Sequence, residues 1–87
     1  MLNVTPAASE YLNGILIRAK APSEAAVRIG HKKDGAGLAT TIDRERDGDQ
    51  HFDCEGRTVL VLDSEIANAL ADQTLDVEQE AQRLVLT

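Results

Sequence analysis

The sequence predicts a mainly β domain that opens with one helix, and three observations lead there. Apolar residues recur at helical spacing only once near the start, at Ala8, Leu12, Ile15, Leu16 and Ala19. From Ala25 onward the apolar positions alternate with polar ones in short segments. Between those segments stand Gly and Asp turn signals such as Asp47-Gly48 and Glu55-Gly56. Eighty-seven residues make one domain, 1–87, which buries about 60–65% of the surface its unfolded chain exposes.

Leu2 and Val4 flank polar Asn3, a short strand signal, and Thr5-Pro6 reads as a helix cap followed by a first-turn proline. Glu10, Asn13 and Arg18 fall off the apolar face of the helix that follows; Gly14 weakens it, and Pro22 is expected to stop it. The next segment, Ala25 to His31, places Val27, Ile29 and His31 on one strand face and Ala26, Arg28 and Gly30 on the other. After a Gly-rich loop, Leu38, Thr40 and Ile42 alternate again, and the Asp47-Gly48 turn leads into Gln50 to Cys54. The unbroken apolar run within Thr58 to Leu62 suits a strand covered on both faces. Asp63-Ser64 can cap a short helix carrying Ile66, Ala69 and Leu70. Leu75 with Val77, and Leu84 with Leu86, form two closing strands around the polar residues Gln79 to Gln82.

Composition narrows the function classes. With Tyr11 and Phe52 the only aromatic residues, the core must come from Val, Leu, Ile and Ala. The net charge is −6 and the only basic run, Lys32-Lys33, meets Asp34 at once, so a nucleic-acid phosphate backbone would be repelled. No apolar run approaches membrane-spanning length, no leader pattern opens the chain, and the lone Cys54 cannot form an internal disulfide, so a cytoplasmic protein is expected.

The order helix, strand, Gly-rich loop, strand, hairpin, short helix, closing hairpin resembles the HesB/IscA-like family, the A-type carriers of iron–sulfur cluster assembly. "LNVTPAASEYL" resembles its opening strand and first helix, "VRIG" its second strand, "GDQHFDCEGRTVLVLDSE" its central hairpin, and "TLD" the strand after the short helix. The resemblance implies a HesB-like, partly open barrel or sandwich of short strands with the N-terminal helix packed on it. It also implies iron–sulfur assembly components as protein partners, and is compatible with a homodimer.

The departures from the family pattern concern the chemistry. Cluster-carrying members have Gly-Cys-Ser-Gly-Leu in the Gly-rich loop and Cys-Gly-Cys near the C-terminus. Here the loop reads Gly35-Ala36-Gly37-Leu38, one residue shorter, so the cysteine position falls on Gly35 or Ala36. The sequence given stops at Thr87, in "RLVLT", before the second motif. Iron–sulfur clusters take about four thiolates, and one cysteine per chain gives a dimer two. Gly35, Ala36 and Gly37 are therefore expected to be a vestigial ligand loop, with no cofactor and no metal site. The function this implies is that of a divergent iron–sulfur assembly protein without the cluster-ligating cysteines, acting through protein partners or weak iron binding. The alternative is a small interaction or structural domain that retains the fold without a role in cluster chemistry.

Other candidates read better as structure. His51, Asp53 and Cys54 are all good metal ligands, but on a strand His51 and Asp53 share one face and Cys54 points to the other with Phe52, unless the strand bulges. His31 suits a strand edge, and a pairing with His51 across strands is a minor option. Thr40, Thr41 and Asp43 bring no placed base for nucleophilic chemistry, so no enzyme is expected. Asp43, Glu45, Asp47 and Asp49, interleaved with Arg44 and Arg46, lack the closing glutamate of a calcium loop and read as a solvated turn.

Overall fold

A computed structural model describes residues 1–32 and 37–87. The elements are β1 (Asn3–Val4), α1 (Pro6–Arg18), β2 (Ala25–His31), β3 (Leu38–Arg44), β4 (Gln50–Cys54), β5 (Arg57–Leu62), α2 (Ser64–Ala69), β6 (Thr74–Glu78) and β7 (Arg83–Leu86). They form a three-stranded sheet in the order β1-β6-β7 and a four-stranded sheet in the order β3-β2-β5-β4. Two pairs, β1 with β6 and β2 with β5, are parallel; the rest are antiparallel. The architecture is mainly β with an N-terminal helix, and among the described residues neither sheet closes into a barrel.

Thr5 caps α1 by accepting from the Ala8 N–H, and Pro6 sits in the first turn, where its missing N–H costs nothing. The helix ends before Pro22, by a different device. Lys20 takes the left-handed conformation at φ 55°, the Ala21 N–H donates to the Leu16 carbonyl, and the Lys20 N–H donates to the Ile17 carbonyl. This is the paired closure that usually uses glycine, here built on a lysine.

Ala8, Leu12 and Leu16 are fully buried; Ile15 is half-buried, and Ala19, past the last turn, is exposed rather than part of the apolar face. The helix packs on β2, β4 and β5 of one sheet and on β6 of the other. The core runs from Leu2 through this helix to Val27, Ile29, Leu60 and Leu62, and on to Ile66, Leu70 and Leu75. In α2 the buried alanine is Ala67; Ala69, assigned to that face by spacing, is exposed.

β5 is covered on both faces, as its apolar run predicts, and its register against β4 shifts at Phe52/Asp53. The shift leaves Val59 as the extra residue, so the consecutive Val59 and Leu60 both join the core. It lies in β5, and β4 keeps its alternation: Phe52 and Cys54 pack against the core while His51 and Asp53 are exposed.

β2 departs most from simple alternation. Ala25 through Ile29 are all buried, Arg28 among them at 9% exposure. The connection from β3 to β4 must pass β2 and β5 to reach the opposite edge of the sheet. Arg28 pins that crossing: its Nε lies 3.1 Å from Asp43 Oδ2, and its Nη2 donates to the Arg44 carbonyl (2.9 Å) and to Asp49 Oδ2 (2.6 Å).

Candidate functional site

The Gly-rich segment expected to be a vestigial ligand loop joins β2 to β3. Gly35 and Ala36 lie outside the described residues. Gly37 has φ +116°, a conformation that strongly favours glycine, and its carbonyl accepts from the Lys32 N–H at 3.0 Å. The next residue, Leu38, lines an apolar groove of about 170 Å³ with Ile29, Thr40, Leu75, Leu84 and Leu86. The segment leaving the loop and the closing strand β7 therefore share one groove at the open side between the two sheets.

Cys54 stands far from this place in the fold. It ends β4, the edge strand opposite β3 in the four-stranded sheet, and is half-buried against the core. A cluster as cargo needs several converging thiolates, and the one thiol of this sequence sits on the sheet edge opposite β3.

The outer face of the same sheet holds two polar groupings. His51 Nδ1 lies 3.2 Å from Asp53 Oδ1, and Thr58 donates to the same oxygen at 2.9 Å. The hydrogen bond to Asp53, with the negative charge of Glu45, raises the His51 pKa, while the bonds from His51 and Thr58 lower that of Asp53. His31 does not join them; it is exposed at the end of β2, paired with Leu38. Among the described residues no group of three or more His, Cys, Asp or Glu side chains is arranged to hold a metal ion.

The second grouping is Arg28 with Asp43 and Asp49. Asp49, expected in a solvated turn, has a side chain only 3% exposed. It accepts from both Arg28 terminal nitrogens and from the Arg46 N–H, and these bonds, that from Arg28 first, hold its carboxyl below the usual range. Asp43 is lowered as well, by the Arg44 N–H first and then by Arg46 and Arg28. The sequence signal for this cluster was an arginine inside an otherwise apolar run, Ala25 to Ile29, which requires a buried counter-charge. Glu45 and Asp47 remain exposed, so the solvated reading holds for them. No helix among the described residues is long and apolar enough to cross a membrane.

These two sheets, the capping helix and the Gly-rich connection define a HesB/IscA-like fold. The crystal structure of Escherichia coli SufA, a protein involved in the biosynthesis of iron–sulfur clusters, matches 99% of this chain and 81% of its own length, with a TM-score of 0.64 and 21% identity. A protein from Aquifex aeolicus, solved in solution by NMR, matches 99% of this chain and 89% of its own length, with a TM-score of 0.67 and 20% identity. The chain matches no protein-family model and no curated protein.

Proposed function

We propose that this chain is a divergent iron–sulfur cluster assembly protein that has lost the cluster-ligating cysteines and acts through protein partners or by binding iron weakly. The observation that carries the proposal is a fold shared with SufA over 99% of the chain, joined to a ligand loop, Gly35-Ala36-Gly37, that contains no thiol. Cys54 does not substitute, because it packs against the core at the opposite sheet edge. With no thiol in that loop, contacts with assembly components, or oxygen and nitrogen ligation of iron, are the means of action this reading assigns.

Protein purified without oxygen should be colourless and contain neither stoichiometric iron nor sulfide, and capture from its source cell should retain iron–sulfur assembly components. Brown protein with stoichiometric iron and sulfide would overturn the loss of cluster carriage. Colourless protein that retains no assembly component would favour an interaction domain outside cluster chemistry.

A further inference from the structure

We infer that Asp47-Gly48 is a self-modification site: the Asp47 side chain and the Gly48 amide close to a cyclic imide that reopens as isoaspartate, and the change loosens the buried Asp49 anchor that follows. The inference is independent of any role in iron–sulfur assembly.

Two dipeptides among the described residues, Asn13-Gly14 and Asp47-Gly48, have the composition this chemistry favours, because glycine places no Cβ beside the attacking nitrogen. Their surroundings differ. Gly14 lies inside α1, where the helical ladder commits its N–H to the Glu10 carbonyl and fixes the backbone of both residues. Asp47 and Gly48 are exposed and occupy the two central positions of a turn closed by the Asp49 N–H on the Arg46 carbonyl at 3.1 Å. The peptide between the central residues of such a turn makes no bond within it, and among the described residues the Gly48 N–H donates to no backbone carbonyl. In a free peptide the asparagine dipeptide is the more reactive, so sequence alone points to Asn13. The fold moves the site to Asp47.

The reaction needs no co-reactant but water. The Gly48 nitrogen loses its proton and bonds to the side-chain carbonyl carbon of Asp47, and one side-chain oxygen leaves as water. Water then reopens the ring. Breaking the nitrogen's bond to the side-chain carbon restores aspartate, whereas breaking its bond to the main-chain carbon leaves isoaspartate, with the chain running through Cβ and a free carboxylate on Cα. Nothing lies within 4 Å of the position that a Cβ on Gly48 would take, which leaves room for the ring to close.

Isoaspartate adds one bond to the main chain between Arg46 and Asp49, and two hydrogen bonds span that stretch. The Asp49 N–H donates to the Arg46 carbonyl, and the Arg46 N–H donates to Asp49 Oδ2 at 2.7 Å. The extra atom widens both rings. Asp49 cannot follow freely, because its side chain is only 3% exposed and its Oδ2 lies 2.6 Å from Arg28 Nη2. The modified turn therefore pulls on the ion pair that pins the crossing from β3 to β4, and a buried guanidinium that loses its carboxylate destabilises the fold.

Prolonged incubation of the full chain at neutral pH tests this. Isoaspartate is read as methyl transfer from S-adenosylmethionine by an isoaspartyl carboxyl methyltransferase. Its position is read by electron-transfer fragmentation of peptides, which separates residue 47 from Asn13 and from Asp34-Gly35, a third such dipeptide outside the described residues. Isoaspartate should accumulate at Asp47 at a rate within about tenfold of that in a synthetic peptide spanning residues 43–52, while Asn13 stays unchanged. Asp47→Ser should abolish it at this position. The isoaspartate form, separated by ion exchange, should unfold at lower urea concentration than fresh protein, and its Arg28 side-chain N–H signals should move in NMR spectra. An Asp47 left intact while the peptide isomerises, or modification of Asn13 in preference to Asp47, would overturn the site. An isoaspartate form with the urea midpoint and Arg28 signals of fresh protein would overturn its link to Asp49.

Discussion

Arg28 Nη2 lies 2.6 Å from Asp49 Oδ2, joining the middle of the four-stranded sheet to the chain segment that crosses it. Both side chains are nearly buried, at 11% and 3% exposure, so each group has given up most of its hydration and depends on the other. Asp43 and the Arg44 carbonyl complete the arginine's partners, and the crossing is held at both ends.

Removing the carboxylate should therefore be costly. Asp49→Ala leaves a mostly buried guanidinium with Asp43 as its only carboxylate, and should destabilise the fold by about 3 kcal/mol or more. Against a total of about 4–13 kcal/mol for a domain of this size, that is a large share. Urea denaturation at neutral pH measures it, and a change below about 0.5 kcal/mol would show that the pair does not hold the crossing.

The same pair sets the response to acid. The folded-state pKa values of Asp49 and Asp43 are lowered, so their contribution is complete above the unfolded value of about 3.9 and is lost as pH falls through the lower folded values. The midpoint of urea unfolding should decline as pH drops below about 4, and more shallowly in Asp49→Ala than in the wild type.

His51 works in the opposite direction. Its folded pKa is raised, so the stabilisation from its bond to Asp53 is complete below the unfolded value of about 6.5 and disappears as pH rises through the folded value. NMR of the imidazole protons should place the His51 titration above the ordinary histidine value, and Asp53→Asn should move it down. Glu45→Gln should move it down less, because the direct hydrogen bond is the larger cause.

Lys20 offers a stabilising change. It closes α1 from the left-handed region, which costs a residue with a side chain about 1–2 kcal/mol, partly offset in glycine by the entropy of its unfolded chain. Lys20→Gly should raise stability by up to about 1 kcal/mol in urea denaturation. A loss of stability would mean that the lysine side chain contributes contacts that outweigh the strain.

Much of the fold was legible because its signals are local. The Thr5-Pro6 start, the period-two run from Val27 and the Asp47-Gly48 turn each specify their own few residues, and the structure places elements where they predict. The misreadings share a physical cause. Ala19 and Ala69 fall on the apolar face by spacing, but a helix end leaves them outside the packing. Pro22 looked like the stop, while the chain had already turned at Lys20, a residue type with no left-handed preference. Asp49 looked solvated because its partner is twenty-one positions away, and only the strand order brings Arg28 beneath the crossing. Of the candidate site, residue types and loop position could be read directly; that Leu38 shares a groove with β7 depends on the stacking of two sheets.

That groove bears on whether cluster chemistry can be restored to this chain. If Gly35-Ala36-Gly37 occupies the family's ligand-loop position, the backbone still leads to a place beside the closing strand, since Leu38 and Leu84 to Leu86 line the same groove. Gly35→Cys alone supplies one thiolate per chain, and Cys54, at the opposite sheet edge, cannot complete a set. Appending a flexible tail after Thr87 that ends in Cys-Gly-Cys adds two more, and thiolate ligation can order that tail because metal binding and folding draw on one free energy. The chain with both changes should take up iron and sulfide and develop charge-transfer absorption, while Gly35→Cys without the tail should stay colourless. Ala36→Cys with the tail resolves which position carries the missing ligand, because the shorter loop allows either. Failure of both loop cysteines with the tail present, in protein still folded by circular dichroism, would show that this loop is not the equivalent of the family's ligand loop.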